Sequence, residues 1–284
     1  MRISTTLASV SAMYLLMSTR AAADEVNLVT DATTSIFSVY PDNNFGESNL
    51  VIGSNSGRVG ASQPGRALVH FDLSSIPAGA VITSATLTMT VVKVPPPDAP
   101  ATAHPSNFDL YPMLDPWTAG TGGGNAGRLA FPGETTWNEL GADGIASWGS
   151  PGGQIGTDFA GRGSDGQLDS DSPDTSASVG INLGPISFGS TSQFVADVQS
   201  WLDDPANNFG AIIISDGEGT PGTARRLASL YTADSSDPAP TLTVDYELPT
   251  PEPSTGILLA VGILYSLGRR PTNRARSSTT ITSI

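Results

Sequence analysis

The chain is predicted to be all-β: an antiparallel β-sandwich of jelly-roll type with one short amphipathic helix. Three features of the sequence predict it. Apolar and polar residues alternate over long runs. In residues 66–73, Ala67, Val69, Phe71 and Leu73 point one way and Leu68, His70 and Asp72 the other. In residues 81–92, Ala85, Leu87, Met89 and Val91 alternate with Ser84, Thr86, Thr88 and Thr90. A period of two is that of a strand with one face more buried than the other. Next, 31 Gly and 22 Pro in 284 residues are too many for a helical protein and lack the period of a repeat, so they mark turns between short strands. Finally, a helical stripe is convincing in one place: Phe194, Val195, Val198, Trp201 and Leu202 fall on one face, with Ser190 or Thr191 placed to cap the start and Pro205 to end it. Trp201 belongs to that stripe and is therefore expected in the core.

In chain order, Val26, Leu28 and residues 36–40 read as extended. Turn formers crowd residues 41–44, and Leu50, Val51 and Ile52 make a short strand closed by Gly53. Residues 57–65 form a loop. The two alternating runs are joined at residues 74–79, where Pro77 fixes φ and Gly79 can take a positive φ. Residues 94–100, with four prolines, cannot sit centrally in a sheet and are expected as an exposed connection. A strand resumes at residues 108–113, and residues 120–127, rich in Gly, are expected as a flexible insert. Residues 149–178 are rich in Gly, Ser and Asp and read as a long mobile loop. Val179, Ile181, Leu183 and Ile186 suggest one strand, and residues 211–214, 227–231 and 241–246 three more.

Charge narrows the function classes. From residue 24 to 248 there are seven Lys and Arg against twenty-six Asp and Glu, a net charge of −19. Nucleic acid is excluded as a partner, because phosphate binding needs clustered positive charge. A polyanionic glycan is repelled unless cations mediate, and the acidity mainly serves solubility. There is no cysteine, so stability must come from burial, with a bound metal as the other available source. Residues 1–23 have the pattern of a secretory signal peptide: Arg2, an apolar stretch, then Ala21, Ala22 and Ala23 before Asp24. Three parts are therefore expected: the leader 1–23, a domain 24–248, and a tail 249–284.

Several stretches of the domain resemble the DNRLRE domain family, to which carbohydrate-binding module family 96 is similar. They are NNFGESNLVIGS (43–54), RALVHFDLSSIP with SATL after it (66–87), WTAG and ETTWNEL (117–140), VQSWLDDPANNFGAIIIS (198–215) and APTLTVDY (239–246). The resemblance spans roughly residues 29–246. It implies a surface loop at residues 43–46 near one end of the sandwich, an aromatic residue packed at a sandwich end around 117–140, and an Arg-containing strand at Arg225 and Arg226. In the tail, Pro251, Glu252 and Pro253 precede an apolar run at 256–268 and then Arg269, Arg270, Arg274 and Arg276. This order is similar to the PEP-CTERM sorting signal. It implies processing by an exosortase and a protein secreted to, or held at, the outer surface of a Gram-negative bacterium. The membrane would be met only through the short tail helix, before processing, with its Arg cluster on the cytoplasmic side.

No catalytic constellation is present: metalloprotease, nucleophile-elbow, phosphate-loop and dinucleotide signatures are all missing. His104 sits in a Pro-rich stretch and His70 is mid-strand, where a packed residue is expected rather than a base. The expected function is a non-catalytic module that binds carbohydrate or associates with extracellular polysaccharide. The alternatives are a structural matrix or biofilm protein without a small ligand and, more remotely, a polysaccharide-degrading enzyme. Candidate ligand residues are the aromatics Tyr40, Trp117 and Trp137, with Trp148 beside them, and Arg225 and Arg226. Each arginine is expected to pair with a carboxylate or, alternatively, to grip a sugar carboxylate bidentately. Calcium is the candidate cofactor, with Asp31, Asp109, Asp216 and Glu218 as ligands, although no ligand-spacing motif joins them. The D-S-D-S-P-D run at 169–174 lacks the Gly and distant Glu of an EF-hand and is read as a solvated acidic loop.

The tail reading predicts that the mature extracellular protein has lost residues 256–284. Mass spectrometry that recovers intact peptides spanning Arg270 from extracellular material would contradict it.

Overall fold

The computed structural model describes residues 23–55, 62–96 and 102–249. The leader up to residue 22 and the Pro251, Glu252 and Pro253 motif lie outside the described residues. Fifteen strands are described. They are β1 (Asp24–Val29), β2 (Ala32–Phe37), β3 (Asn43–Asn44), β4 (Leu50–Ser54), β5 (Pro64–His70), β6 (Val81–Lys93), β7 (Ser106–Pro112), β8 (Arg128–Leu129), β9 (Gly161–Arg162), β10 (Leu168–Ser170), β11 (Thr175–Val179), β12 (Gly184–Phe188), β13 (Ala211–Ser215), β14 (Arg225–Leu227) and β15 (Thr241–Glu247). The helix α1 (Ser192–Asp203) lies between β12 and β13.

All ladders between these strands are antiparallel, and eleven strands form one curled sheet with two layers. The first layer is built on β6. β15 covers its residues 81–88 and β14 meets it at Val91 and Lys93, so these two strands share one edge, while β12 lies on the other and β1 adds outside β15. The second layer runs β2-β5-β13-β7-β11. β4 is the corner between them. Its Leu50, Val51 and Ile52 pair with β14, and its Gly53 and Ser54 pair with β5. Gly53 has φ +96°, and a Cβ there would lie 2.7 Å from the Thr223 carbonyl oxygen, so the turn from one layer to the other requires glycine.

The alternation read from the sequence sets the inner core. Ala85, Leu87, Met89 and Val91 of β6 are buried against Val69, Phe108, Leu110, Ala211 and Ile213 of the second layer. β5 departs from the expectation of one buried face. Leu68 and its neighbours Ile36, Tyr111 and Ile212 face away from the sandwich core yet are also buried. The chain between β7 and β9 folds over this outer face and packs Leu140, Trp148 and Phe159 on it. That is why residues 211–214 are apolar without a break: the strand is covered on both sides. Trp148, expected among the exposed aromatics, is buried, and its indole Nε1 donates to the Thr136 carbonyl at 2.9 Å.

The helix follows its sequence signals. Thr191 is extended (φ −98°, ψ 163°), and its Oγ1 accepts from Phe194 N at 3.1 Å, while the chain leaves the helix at Asp204 before Pro205. Phe194, Val198 and Trp201 join the inner core, Trp201 at 4 % exposure. The Gln199 amide fastens the helix to the start of β6, donating to Ala80 O at 3.1 Å and accepting from Ile82 N at 2.8 Å.

Other boundaries move. The strand expected through Val179, Ile181, Leu183 and Ile186 is two strands, β11 and β12, and Ile181 and Leu183 are exposed in the turn between them. The strand expected at 227–231 ends at Leu227, where Ser229 and Thr232 hydrogen-bond each other in a turn. Residues 149–178 are more ordered than expected. They contain the β9–β10 hairpin and the start of β11, and the carboxylate of buried Asp158 accepts from Gly149 N and Gln154 N. Asp165, Asp169 and Asp171 are exposed as expected, but Asp174 is buried.

Leu68→Ala tests the second core. It should cost about 2–5 kcal/mol, the usual range for a fully buried leucine, read as a lower denaturant midpoint at unchanged slope.

Candidate functional site

The local architecture of the site starts from Asn44, which is fully buried. Its Nδ2 donates to Ala119 O at 2.8 Å and Thr135 O at 3.1 Å, and its Oδ1 accepts from Gly46 N at 3.0 Å and Gly122 N at 2.8 Å. The side-chain amide thus uses both donors and both lone pairs. Ser48 Oγ adds a bond to Gly124 O at 2.8 Å. A Cβ on Gly122 would overlap the Asn44 carbonyl oxygen, so glycine is what lets the two backbones meet. The segment expected as a flexible insert is therefore docked through a fully satisfied buried amide.

This docked segment, together with β4, β14 and the end of β6, encloses a cleft of about 320 Å³. Phe37, Phe45, Val51 and Val94 supply apolar lining, and Asn49, Asn125 and Thr232 supply polar groups. Lys93, Arg225 and Arg226 also line it, with Glu47 as the carboxylate among the lining residues. Lys93 and Arg226 are cross-strand partners in the β6–β14 ladder. Arg226 donates from its guanidinium to Asn125 Oδ1 at 2.5 Å.

The electrostatics of this cleft differ from those of the rest of the domain. Elsewhere among the described residues the arginines are paired with carboxyl groups: Arg66 with Glu218 through two bonds of 2.8 Å, Arg128 with Glu134 at 2.6 Å, and Arg162 with Asp197 at 2.5 Å. Lys93, Arg225 and Arg226 form no ion pair in the described structure. All three line the same cleft.

Arg225 departs from its expected pairing with a carboxylate. It is 1 % exposed, and its guanidinium donates to four carbonyls: Gly180 at 3.0 Å, Gly222 at 3.1 Å, Ala224 at 2.8 Å and His104 at 2.7 Å. Burial lowers its pKa. It ties three turns together at the cleft wall, leaving Arg226 and Lys93 as the accessible cations. Tyr40 is 38 % exposed and stands 6.2 Å, ring to ring, from both Phe37 and Phe45, so it extends the aromatic lining outward. Trp117 and Trp137 are not among the cleft residues. Both pack on the outer core, Trp117 donating to Phe209 O at 2.8 Å and Trp137 lying 5.4 Å from the Arg66 guanidinium.

The four carboxylates nominated for calcium are each engaged by protein donors. Asp31 Oδ1 is 2.6 Å from His70 Nδ1, whose Nε2 lies 3.1 Å from Asn208 O, and Glu218 is the partner of Arg66. Asp109 accepts from Ser176 Oγ at 2.6 Å, and Asp216 accepts from Asn107 N and Nδ2 at 2.9 Å. Asp109 and Asp216 are close enough to interact: burial, and after it the charge of Asp216, raises the pKa of Asp109 against the Ser176 bond. The other two are not drawn to that pair, and no group of three or more His, Asp or Glu that could hold a metal occurs among the described residues.

Lys93, Asn44 and Asn125 were not nominated from the sequence. Asn44 lies inside the NNFGESNLVIGS stretch, and Lys93 is the one lysine in the sequence, but neither signal indicates a cleft. No family model matches the chain, and no curated protein matches it.

Asn44→Ala should leave several buried backbone groups without partners, each worth about 1–3 kcal/mol. A lower unfolding midpoint, with new protease cleavage at residues 120–127, is the expected result.

Proposed function

We propose that this chain is a non-catalytic module, secreted or displayed at the cell surface, that binds an acidic group of an extracellular carbohydrate in the Lys93–Arg226 cleft. One observation carries this reading: in a domain of net charge −19, the Lys and Arg side chains that form no ion pair among the described residues line a single cleft. A sugar carboxylate there would accept charge-assisted hydrogen bonds from Lys93 and Arg226, the latter already oriented by Asn125. The apolar lining of Phe37 and Phe45, with Tyr40 at its margin, suits the C–H faces of a sugar ring. A volume of about 320 Å³ is at the small end for ligand sites and fits one or two rings.

The overall charge refines the ligand. A continuous polyanion would be repelled by the rest of the surface over a Debye length of about 8 Å at physiological ionic strength. The favoured ligand therefore carries isolated carboxylates on an otherwise neutral chain. Glycoside hydrolysis commonly uses two carboxylates flanking the bond, and among the described residues the lining offers one, Glu47, which supports binding without chemistry. The resemblance of several stretches to the DNRLRE domain family, to which carbohydrate-binding module family 96 is similar, supports the same reading, and the leader and tail patterns support an extracellular location. Among the described residues, no helix is long and apolar enough to cross a membrane.

The test is affinity electrophoresis and calorimetry against neutral, sparsely acidic and polyanionic glycans, in chelator and in calcium. Sparsely acidic chains should bind best, and binding should persist in chelator. Lys93→Ala and Arg226→Ala should each weaken binding about tenfold or more, as expected for a charge-assisted hydrogen bond. Tyr40→Ala should have a smaller effect. If both cation variants bind as well as the wild type, the cleft is not the site, and a structural matrix role without a small ligand becomes the better account.

A further inference from the structure

Helix α1 turns a carboxylate inward. Asp197 is 0 % exposed on the face that carries Phe194, Val198 and Trp201, and Asp174, on the lead-in to β11, is 2 % exposed. Arg162 of β9 serves both. Its backbone N donates to Asp174 Oδ1 at 2.5 Å and its Nε to Asp197 Oδ1 at 2.5 Å. The rest of its guanidinium is held by Ser200 Oγ and Gly166 O, each at 2.8 Å. Each carboxyl group keeps its second oxygen, Oδ2, buried and without a partner.

Two ionised carboxylates and one guanidinium would leave a net negative charge away from solvent, with two orphaned acceptors. Both penalties are severe in a low-dielectric site. A proton on one Oδ2 removes them together, because it converts two acceptors into a donor and an acceptor. We propose that Asp174 and Asp197 share a single proton at neutral pH, and that this carboxyl–carboxylate hydrogen bond clasps helix α1 to the β9–β11 segment and is released in alkali.

The surroundings favour retention of the proton. Burial, then hydrogen bonding to Asp174 and the charge of Asp174, push Asp197 up to about 9, against the opposing pull of Arg162. From β7, the Tyr111 hydroxyl senses the charges of Asp109, Asp171 and Asp174, but burial above all pushes it up to about 12, so it remains neutral. Thr191 Oγ1 donates to the Asp174 backbone carbonyl and so ties the helix cap to the same segment. Loss of the proton to solvent leaves both groups ionised and repelling across the contact. In the unfolded chain Asp197 titrates near its ordinary 3.8, so between about pH 4 and pH 9 the folded state holds one proton more. Stability from this pair is therefore fullest at the acid end and falls as pH rises through the window.

Asp197→Asn in the full-length protein places an amide N–H where the shared proton would lie and removes the titration. The unfolding temperature of the variant minus that of the wild type should climb steadily from about pH 5 to about pH 9 and level off beyond it. A difference independent of pH would overturn the proposal. Infrared spectra of the wild type need no variant: a protonated carboxyl band should be present at neutral pH and fade in alkali, and its absence at neutral pH would equally overturn the proposal. Calcium titration separates the rival occupant, since a cation between the two groups needs both ionised. A calcium-dependent rise in unfolding temperature that is lost in Asp197→Asn, with no protonated band, would assign the contact to metal instead.

Discussion

The arrangement of the domain depends on burying the β2-β5-β13-β7 layer on both of its faces. One face meets the β6 layer in the sandwich core, and the other meets the loop layer that brings Leu140, Trp148 and Phe159 onto Ile36, Leu68 and Ile212. Without cysteines, burial is the main source of stability, and a sandwich alone would leave this second face to water. Covering it with irregular chain creates a further demand. The loop backbone carries polar groups that must find partners, which is the work of buried side chains such as Asn44, Asp158 and Thr135.

The same economy governs charge. The domain has few cations, and where one is buried or half-buried it is placed to answer a particular need. Arg66 fastens the turn after β13 to the loop layer through Glu218 and the Gly152 carbonyl, and Arg162 stands between two inward carboxyl groups. Arg225 has no carboxylate. Its stability rests on carbonyl dipoles from three turns, which makes it a rigid wall rather than a mobile hand. Against that background Lys93 and Arg226 stand apart among the described residues, because strand register places a pair of cations without an ion-pair partner beside an apolar lining.

Burial has opposite consequences for the two kinds of charge in this protein. Arg225, whose guanidinium remains charged even when its pKa is lowered, must be solvated by the fold itself. Asp197 has another option, because a carboxyl group can take up a proton and become neutral at moderate cost. A buried acid therefore makes the packing of α1 sensitive to pH, whereas the buried base makes the cleft wall insensitive to it.

Period-two alternation determined the β class, the long β6 strand and its inward face, since these depend on neighbours two residues away. The cap at Thr191, the stripe through Trp201 and the end at Pro205 likewise determined the helix, because capping and periodicity are local. The acidity of the domain and the scarcity of its cations were also plain from the sequence alone. Only the tertiary structure decided that Leu68 and Trp148 are buried, because the segment covering them comes from elsewhere in the chain and has no period of its own. It also decided the site. Lys93 and Arg226 meet through the register of two strands distant in sequence, and Asp174, which reads as part of a solvated acidic run, is drawn inward by a backbone bond from Arg162. Such meetings follow from which strands pair and where a turn closes, and no local pattern of residue types carries that information.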